Sequence, residues 1–424
     1  MKLGKGSRSA ALLAAVAMVT ATGCSTRAED TAAPGGGTPG EAPSDGAATE
    51  EVLTDVGIEG NTITLGVLTD LTGVFAALGN DITNANELFW SENQVCDTYD
   101  VELDIQDTGY VPQQGVQLYS GMKDGVLAMQ QTIGSPINTA LAPEYTADKI
   151  VNFSSAWASN LTLTPGTGVP GATYPVELAN GYAYMIEQGL LAEGDKVGHI
   201  YFEGEYGENG LAGTEAAAAE YGLEVVQAQI KATDQDMTAQ ITNFKAEAVD
   251  MIVLTTAPTQ TNSAASVAAA QGLDVPILGS NPVFAPGLLA GPAADKLKED
   301  LYVASPVSAF DAHPDILAAY EKAYPDVTPT LGVIVGYGMS ELMKAVLDQA
   351  CENGDLTREG VLAAFNELED IDTGGLIVNI RGFEVGQSPS LESFILRPAD
   401  VPGGAMVEAE AFAGPLAETL GAGE

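Results

Sequence analysis

The sequence predicts an α/β protein made of two doubly wound parallel-sheet lobes joined by a multi-strand hinge. Three observations predict it. Short apolar strand signals alternate with helix signals, the alternation falls into two successive runs of similar length, and the last third holds too few elements for a third domain. In the first run, Ile63, Leu65 and Val67 alternate as a strand, and Ile82, Ala85, Leu88 and Phe89 then share one helix face. The unit recurs as VELDIQD with a helix over 112–122 and VLAMQQTIGSP with a helix over 137–147, and KIVNFSSAW closes the run. After a helix over 176–192, the second run supplies strands in KVGHIYFEGEYG, LEVVQAQI, VDMIVLTTAP and VPILGSN, with helices over 208–221, 236–247 and 261–271. Later come a strand in YVASPVSAF, helices over 314–324, 332–350 and 357–366, and short strands in GLIVNI and SFILRP. These pieces complete the first two lobes, so the chain crosses between them repeatedly. The expected organisation is 58–175 plus 306–366 as the N-terminal lobe, 176–305 plus 367–400 as the C-terminal lobe, and 401–424 as an acidic Gly/Ala-rich tail, frayed or carrying a short docked helix.

The first residues direct the chain out of the cytoplasm. Lys2, Lys5 and Arg8 form a positive start, residues 10–20 are apolar but too few to span a bilayer stably, and small residues lead into Cys24. Residues 1–23 read as a removed signal. An ordinary secretory signal with an incidental thiol is the rival reading, but Gly23 before Cys24 and a flexible stretch after it favour lipid attachment there. Ala21-Thr22-Gly23-Cys24 resembles a bacterial lipobox, with Ala21 where that motif usually has leucine. Residues 24–57 are rich in Gly, Pro, Ser, Thr and acids and read as a disordered linker behind the lipidated cysteine.

Without residues 1–23 the chain has 58 acids against 13 Lys and Arg, a formal charge of −45. Such a polyanion is repelled by nucleic acid and by anionic headgroups, which excludes nucleic acid as a partner and leaves the lipid as its route to the membrane. The chain is nonetheless 46% hydrophobic, enough for one large core or two medium ones. Besides Cys24 there are only Cys96 and Cys351; in an exported protein the pair suggests one disulfide, and two buried free thiols are the alternative.

In open parallel sheets ligands sit beyond the carboxyl ends of strands. In the first lobe this selects the loop from Thr69 through Asp70 to Gly73, the turn Gly134-Ser135-Pro136, and Ser154-Ser155-Ala156-Trp157. Helix-end amides beside serine hydroxyls receive a carboxylate or carbonyl oxygen, although plain capping explains Ser135 equally well. In the second lobe the rule selects Glu203, Glu205 and Tyr206, then Thr256 to Gln260, then Ser280 and Asn281. Tyr206 offers an apolar face and a hydroxyl, with an ordinary surface tyrosine as its rival reading, and any single acid among 58 is ordinarily solvated surface. No catalytic constellation stands out. The two histidines, His199 and His313, lack metal-ligand spacing, and neither a nucleophile elbow nor a phosphate loop is present. The expectation is a non-enzyme without cofactor or metal.

Taken in order, ITLGVLTDLTGVFAALG, the IGSP turn, KIVNFSSAWASNLT, VGHIYFEGEYGENG and VPILGSN resemble the leucine/isoleucine/valine-binding proteins of branched-chain amino acid ABC transporters, with a type I periplasmic binding fold, from about Ile63 to Pro398. The resemblance implies a monomeric receptor, of the Venus-flytrap kind, that captures a small organic solute by lobe closure and passes it to permease subunits. It carries ligand contacts onto Ser135, onto Ser155, Ala156 and Trp157, and onto Tyr206. A family tyrosine falls in the Thr256–Pro258 region, where this chain has none, and the family acid that pairs with the ligand ammonium falls near Asn281. Asn281 supplies a dipole and no charge, so Glu203, Glu205 or Asp70 has to compensate if the ligand is an amino acid. Branched-chain amino acids are the family default; an amide, urea-like or aromatic compound is the alternative. A lipoprotein that senses its ligand and signals without transport is the rival function. The resemblance also brings the helix ends near Cys96 and Cys351 together at the far pole of the first lobe.

Overall fold

The computed structural model describes residues 52–422. The signal segment, Cys24 and most of the linker lie outside the described residues.

The first lobe is built on β1 (Thr62–Thr69), β2 (Asp100–Asp107), β3 (Ala128–Ile133) and β4 (Asn152–Ser155), all parallel, in the order β2-β1-β3-β4. Helices α1 (Ala76–Glu92), α2 (Pro112–Met122) and α3 (Ser135–Asp148) connect these strands. Residues 65–69 are all buried, as befits a strand covered on both faces. Ile82, Ala85 and Phe89 of α1 face the core at helical spacing.

The second lobe begins with α4 (Tyr174–Glu187) and continues through β5 (Lys196–Phe202), α5 (Glu205–Tyr221), β6 (Glu224–Ile230), α6 (Thr238–Glu247), β7 (Met251–Thr255), α7 (Pro258–Gln271), β8 (Ile277–Gly279), α8 (Ala294–Asp300) and β9 (Leu301–Ser305). The chain then returns to the first lobe with α9 (Pro314–Ala323), α10 (Gly332–Glu352) and α11 (Arg358–Glu367). It finally crosses back to add β10 (Ser393–Pro398) and β11 (Ala405–Phe412) to the second sheet. That sheet has the order β11-β10-β9-β8-β7-β5-β6, parallel from β9 to β6 and antiparallel at β10 and β11. The crossings at 169–173, 306–309 and 384–392 form a three-segment hinge.

Three expectations are corrected. GLIVNI is no strand; its residues make only the isolated bridges Val307↔Ile377 and Ile371↔Ile380. That region, expected with the second lobe, lies against the first: Phe383 stacks on Phe365 at 4.7 Å and edges onto Phe153 at 5.5 Å. Residues 405–412, expected in a tail, form the edge strand β11, and a short helix follows at Ala417–Gly421. The strand AMVEAEAF sends Glu408 and Glu410 toward water, which keeps an exposed sheet edge from pairing with another chain.

A buried polar network ties the first-lobe helices to β3. Asn86 donates to Gln131 (2.7 Å), Gln131 to Thr69 Oγ1 (3.1 Å), Trp90 Nε1 to Gln130 (3.0 Å), and Gln130 to Ser340 (3.3 Å). Such a network fixes register because each unmade bond would leave a buried polar group stranded. Gly332 and Gly336 of α10 sit against the Leu78 and Ile82 carbonyls of α1, where any Cβ would collide. At the opposite end a disulfide joins Cys96 to Cys351.

Candidate functional site

Between the lobes lies a narrow cavity of about 60 Å³, lined by the loops at the carboxyl ends of β1, β3, β4 and β9. Its construction starts at Asp70. The buried carboxylate accepts from the Gly73 and Phe75 amides (2.5 and 2.9 Å), bending the loop after β1 so that Phe75 enters the cavity wall. Burial pushes the Asp70 pKa up, and these amide donors work against that rise. After β2, Asp107 accepts from the Leu71 amide, the Thr72 hydroxyl and the Gly109 amide; these bonds outweigh partial burial and hold it below the usual carboxylate range. The turn they fix projects Tyr110, whose ring packs on Phe75 at 4.9 Å and occupies the place a Cβ on Gly134 would take. Gly134 has φ 94°, so both its backbone and its neighbour demand glycine.

Gly134 leads directly into α3, whose first turn opens on the cavity without a side-chain cap. Ser135 is 1% exposed, lines the cavity, and its hydroxyl has no hydrogen-bond partner among the described residues. Ser155, from the end of β4, also lines it, and its hydroxyl meets only the sulfur of Met339, at 3.3 Å. A hydroxyl in the first turn of α3 and another at the end of β4, neither with an oxygen or nitrogen partner among the described residues, are able to donate to an oxyanion. Burial holds the Tyr110 phenol protonated, with Asp70 and Glu205 adding to the effect, so it too is a donor.

The aromatic wall continues across the cleft. Trp157 donates its indole N–H to the Pro170 carbonyl (2.9 Å) and edges onto Tyr174, which packs at 4.8 Å on Tyr206. Tyr206 in turn faces Phe75 at 6.2 Å. Its hydroxyl is engaged by Ser280 Oγ (2.8 Å) and the Thr256 carbonyl (3.1 Å), so it presents a ring and no free polar group. The lobes also meet at Ser159, whose amide and hydroxyl both donate to Asn209 Oδ1 at 2.7 Å.

Of the residues expected at the site, Ser135, Ser155, Trp157, Tyr206 and Asn281 line this cavity. Ala156 and Thr256 do not: Ala156 is buried behind the wall with its carbonyl taken by Ser154, and Thr256 serves as a support for Tyr206. None of the acids weighed as a counter-charge lines it. Asp70 is spent on its loop, Glu203 points to solvent, and Glu205 is half-buried outside the wall. The acid that does approach is Glu177, in the first turn of α4, which lies behind Asn281 and accepts from both its amides. Burial pushes Glu177 up to about 8, against the pull of the Asn281 donors.

Among the positions that sequence reasoning missed are Phe75, Tyr110, Tyr174, Phe284, Leu396 and Ala405. Phe75 and Tyr110 follow carboxyl ends of strands and were within reach of the same rule. Leu396 and Ala405 carried no such signal.

The sequence profile of a family described as periplasmic binding protein matches residues 62–387. No curated protein matches the chain in sequence. Among solved structures, a fatty acid ABC transporter substrate-binding protein from Thermomonospora curvata is 37% identical with a TM-score of 0.84, covering 88% of this chain and 97% of its own. A branched-chain amino acid ABC transporter protein from Thermus thermophilus with bound valine shares the fold at 15% identity and TM-score 0.74, over 86% of this chain and 99% of its own. A solute binding protein of an ABC transporter from Rhodopseudomonas palustris BisB5, in complex with 3,4-dihydroxybenzoic acid, does so at 21% identity and TM-score 0.70, over 84% and 98%.

Proposed function

The chain belongs to the periplasmic binding protein family, the extracytoplasmic solute-binding components of ABC transporters, and from that premise we propose that its solute is a monocarboxylate with an apolar body, a fatty acid first of all. The observation that carries this reading is the pairing of a polar end, formed by Ser135, Ser155 and Tyr110, with walls that apart from Asn281 and Ser305 are aliphatic and aromatic. A carboxylate is stabilised by hydroxyls and a helix N-terminus without any cation. An amino acid brings an ammonium as well, and burying it without a facing carboxylate is costly. The fatty acid named for the Thermomonospora curvata relative agrees with this chemistry.

Binding proceeds by closure. The first lobe receives the carboxylate at Ser135 and Ser155, and the second brings Tyr206 and Asn281 over the body of the ligand. Contacts available only with both lobes together shift the population toward the closed form, which permease subunits distinguish from the open one. Cys24, with the positive and apolar segment before it, is the proposed lipid attachment that holds the receptor at the outer face of the membrane as a monomer. Cys24→Ser is expected to release the protein into the medium.

Calorimetry with octanoate, dodecanoate, 4-hydroxybenzoate and valine tests the ligand class. The fatty acids are expected to bind most tightly and valine not measurably. Tight valine binding with no response to the acids overturns the reading.

A further inference from the structure

On the second-lobe side the cavity is lined by Ser305, at the carboxyl end of β9, by Pro282 and Phe284, and by Val303, Leu396 and Ala405 on the sheet face. Strand register gives the depth: Ser305 pairs with Phe394, Val303 with Leu396, and Pro398 with Ala405. The step from Phe394 to Pro398 is four residues, so Ala405 lies roughly 13 Å further into the lobe than the cleft edge.

Leu396 and Ala405 belong to the hairpin β10–β11, which follows the family match ending at residue 387. The hairpin is fixed against the rest of the lobe. Arg397 stacks over the Tyr302 ring at 4.0 Å and donates to the Lys298 and Glu299 carbonyls at 2.8 and 2.6 Å. Its turn is equally constrained: a Cβ on Gly404 would strike Pro286, and one on Gly403 would strike Phe310. Ala405 itself is 3% exposed. A wall so anchored cannot retreat from a long ligand, and Ala405 presents only a methyl group at its deepest point.

Resting on the monocarboxylate reading above, we propose that the C-terminal hairpin is a length gauge for the ligand's apolar tail, with Ala405 as its stop and Leu396 as its side wall. The carboxylate is held at Ser135 and the tail runs toward Ala405, so affinity rises by about fourfold for each methylene that still finds apolar wall and then ceases to rise.

The test is a calorimetric series of hexanoate, octanoate, decanoate, dodecanoate and hexadecanoate against wild type, Ala405→Leu and Leu396→Ala, each checked for folding by its thermal melt. Ala405→Leu is expected to move the best ligand about two carbons shorter, because added bulk at the end of the wall excludes the last methylenes. Leu396→Ala, which opens the wall, is expected to move it longer. Wild-type binding with the same length profile in both folded variants overturns the gauge and leaves the monocarboxylate reading standing. A wild type that binds no member of the series overturns both.

Discussion

Glu177 grips Asn281 with both carboxylate oxygens, Oε1 accepting from the backbone amide at 2.8 Å and Oε2 from the side-chain amide at 3.0 Å. The pair spans 104 residues of sequence and places an acid one hydrogen bond behind the cavity wall. Tyr174 and Tyr206 are the other titratable groups that face it. Glu177 therefore fixes Asn281 in the cavity wall without contributing a charge to the cavity surface.

That arrangement has a pH signature. Glu177 has an ordinary value of 4.5 and is pushed up to about 8 by burial. Between these values the folded protein keeps a proton that the unfolded chain has released, so stability falls as pH rises. His199, driven down to about 3 by burial, acts oppositely from pH 3 to its ordinary 6.5, where the unfolded chain binds the extra proton. The Glu177 effect is thus cleanest between pH 6.5 and 8. Wild type is expected to lose several degrees of melting temperature across that window and Glu177→Gln markedly less; parallel melts of the two proteins would sink this assignment.

The two serines are expected to matter through their hydroxyls. Ser135→Ala and Ser155→Ala each remove a donor to the bound carboxylate, worth about 1.5–3 kcal/mol, or roughly ten- to a hundredfold in affinity. Neither hydroxyl has an oxygen or nitrogen partner among the described residues, so the melting temperature of the unliganded variants should hold. Calorimetry alongside a melt separates the two effects.

Tyr206 is expected to act through its ring. With its hydroxyl already engaged by Ser280 and Thr256, Tyr206→Phe should keep affinity within a few-fold, whereas Tyr206→Ala, which removes the ring from the Phe75–Tyr174 cluster, should weaken binding about tenfold or more. A Tyr206→Phe loss as large as that of Tyr206→Ala would mean that the hydroxyl reaches the ligand.

Asn209 makes a contact between the lobes one helical turn beyond Tyr206. Asn209→Ala removes the acceptor shared by the Ser159 amide and hydroxyl, which favours the open form. The expected result is a several-fold weaker affinity and a larger radius of gyration in solution scattering of the unliganded protein. An unchanged radius and unchanged affinity would show that this contact does not bias closure.

The disulfide is expected to stabilise without touching recognition. Cys96→Ser with Cys351→Ser should cost about 2–4 kcal/mol, seen as a lower melting temperature, while ligand affinity stays the same. A thiol count on the untreated protein should find neither cysteine reactive.

The lobes were legible because their strands carry apolar runs such as MIVL and their helices repeat apolar residues at helical spacing, and these local patterns survive without knowledge of tertiary contacts. Ser135, Ser155 and Trp157 were legible because a parallel sheet sends ligands to the ends of its strands. Glu177 was not, since it meets Asn281 only after two distant elements pack. Strand β11 was hidden by composition: alanine is a weak apolar marker, and AMVEAEAF beside glycines reads as solvated chain until β10 is there to pair with it. Residues 371–383 misled in the other direction, because GLIVNI has strand composition but finds no neighbouring strand to complete a ladder.

Helices α1 and α10 are interlocked at Gly332 and Gly336 beside the cavity and bolted by Cys96–Cys351 at the far pole. Leu78, Ile82, Leu331 and Val335, which these helices contribute to the cavity, stand on what amounts to a welded frame. Bulk added to a ligand on that side meets a wall that cannot dilate, so branching directed at these helices should be rejected by shape alone, whatever length the tail is allowed.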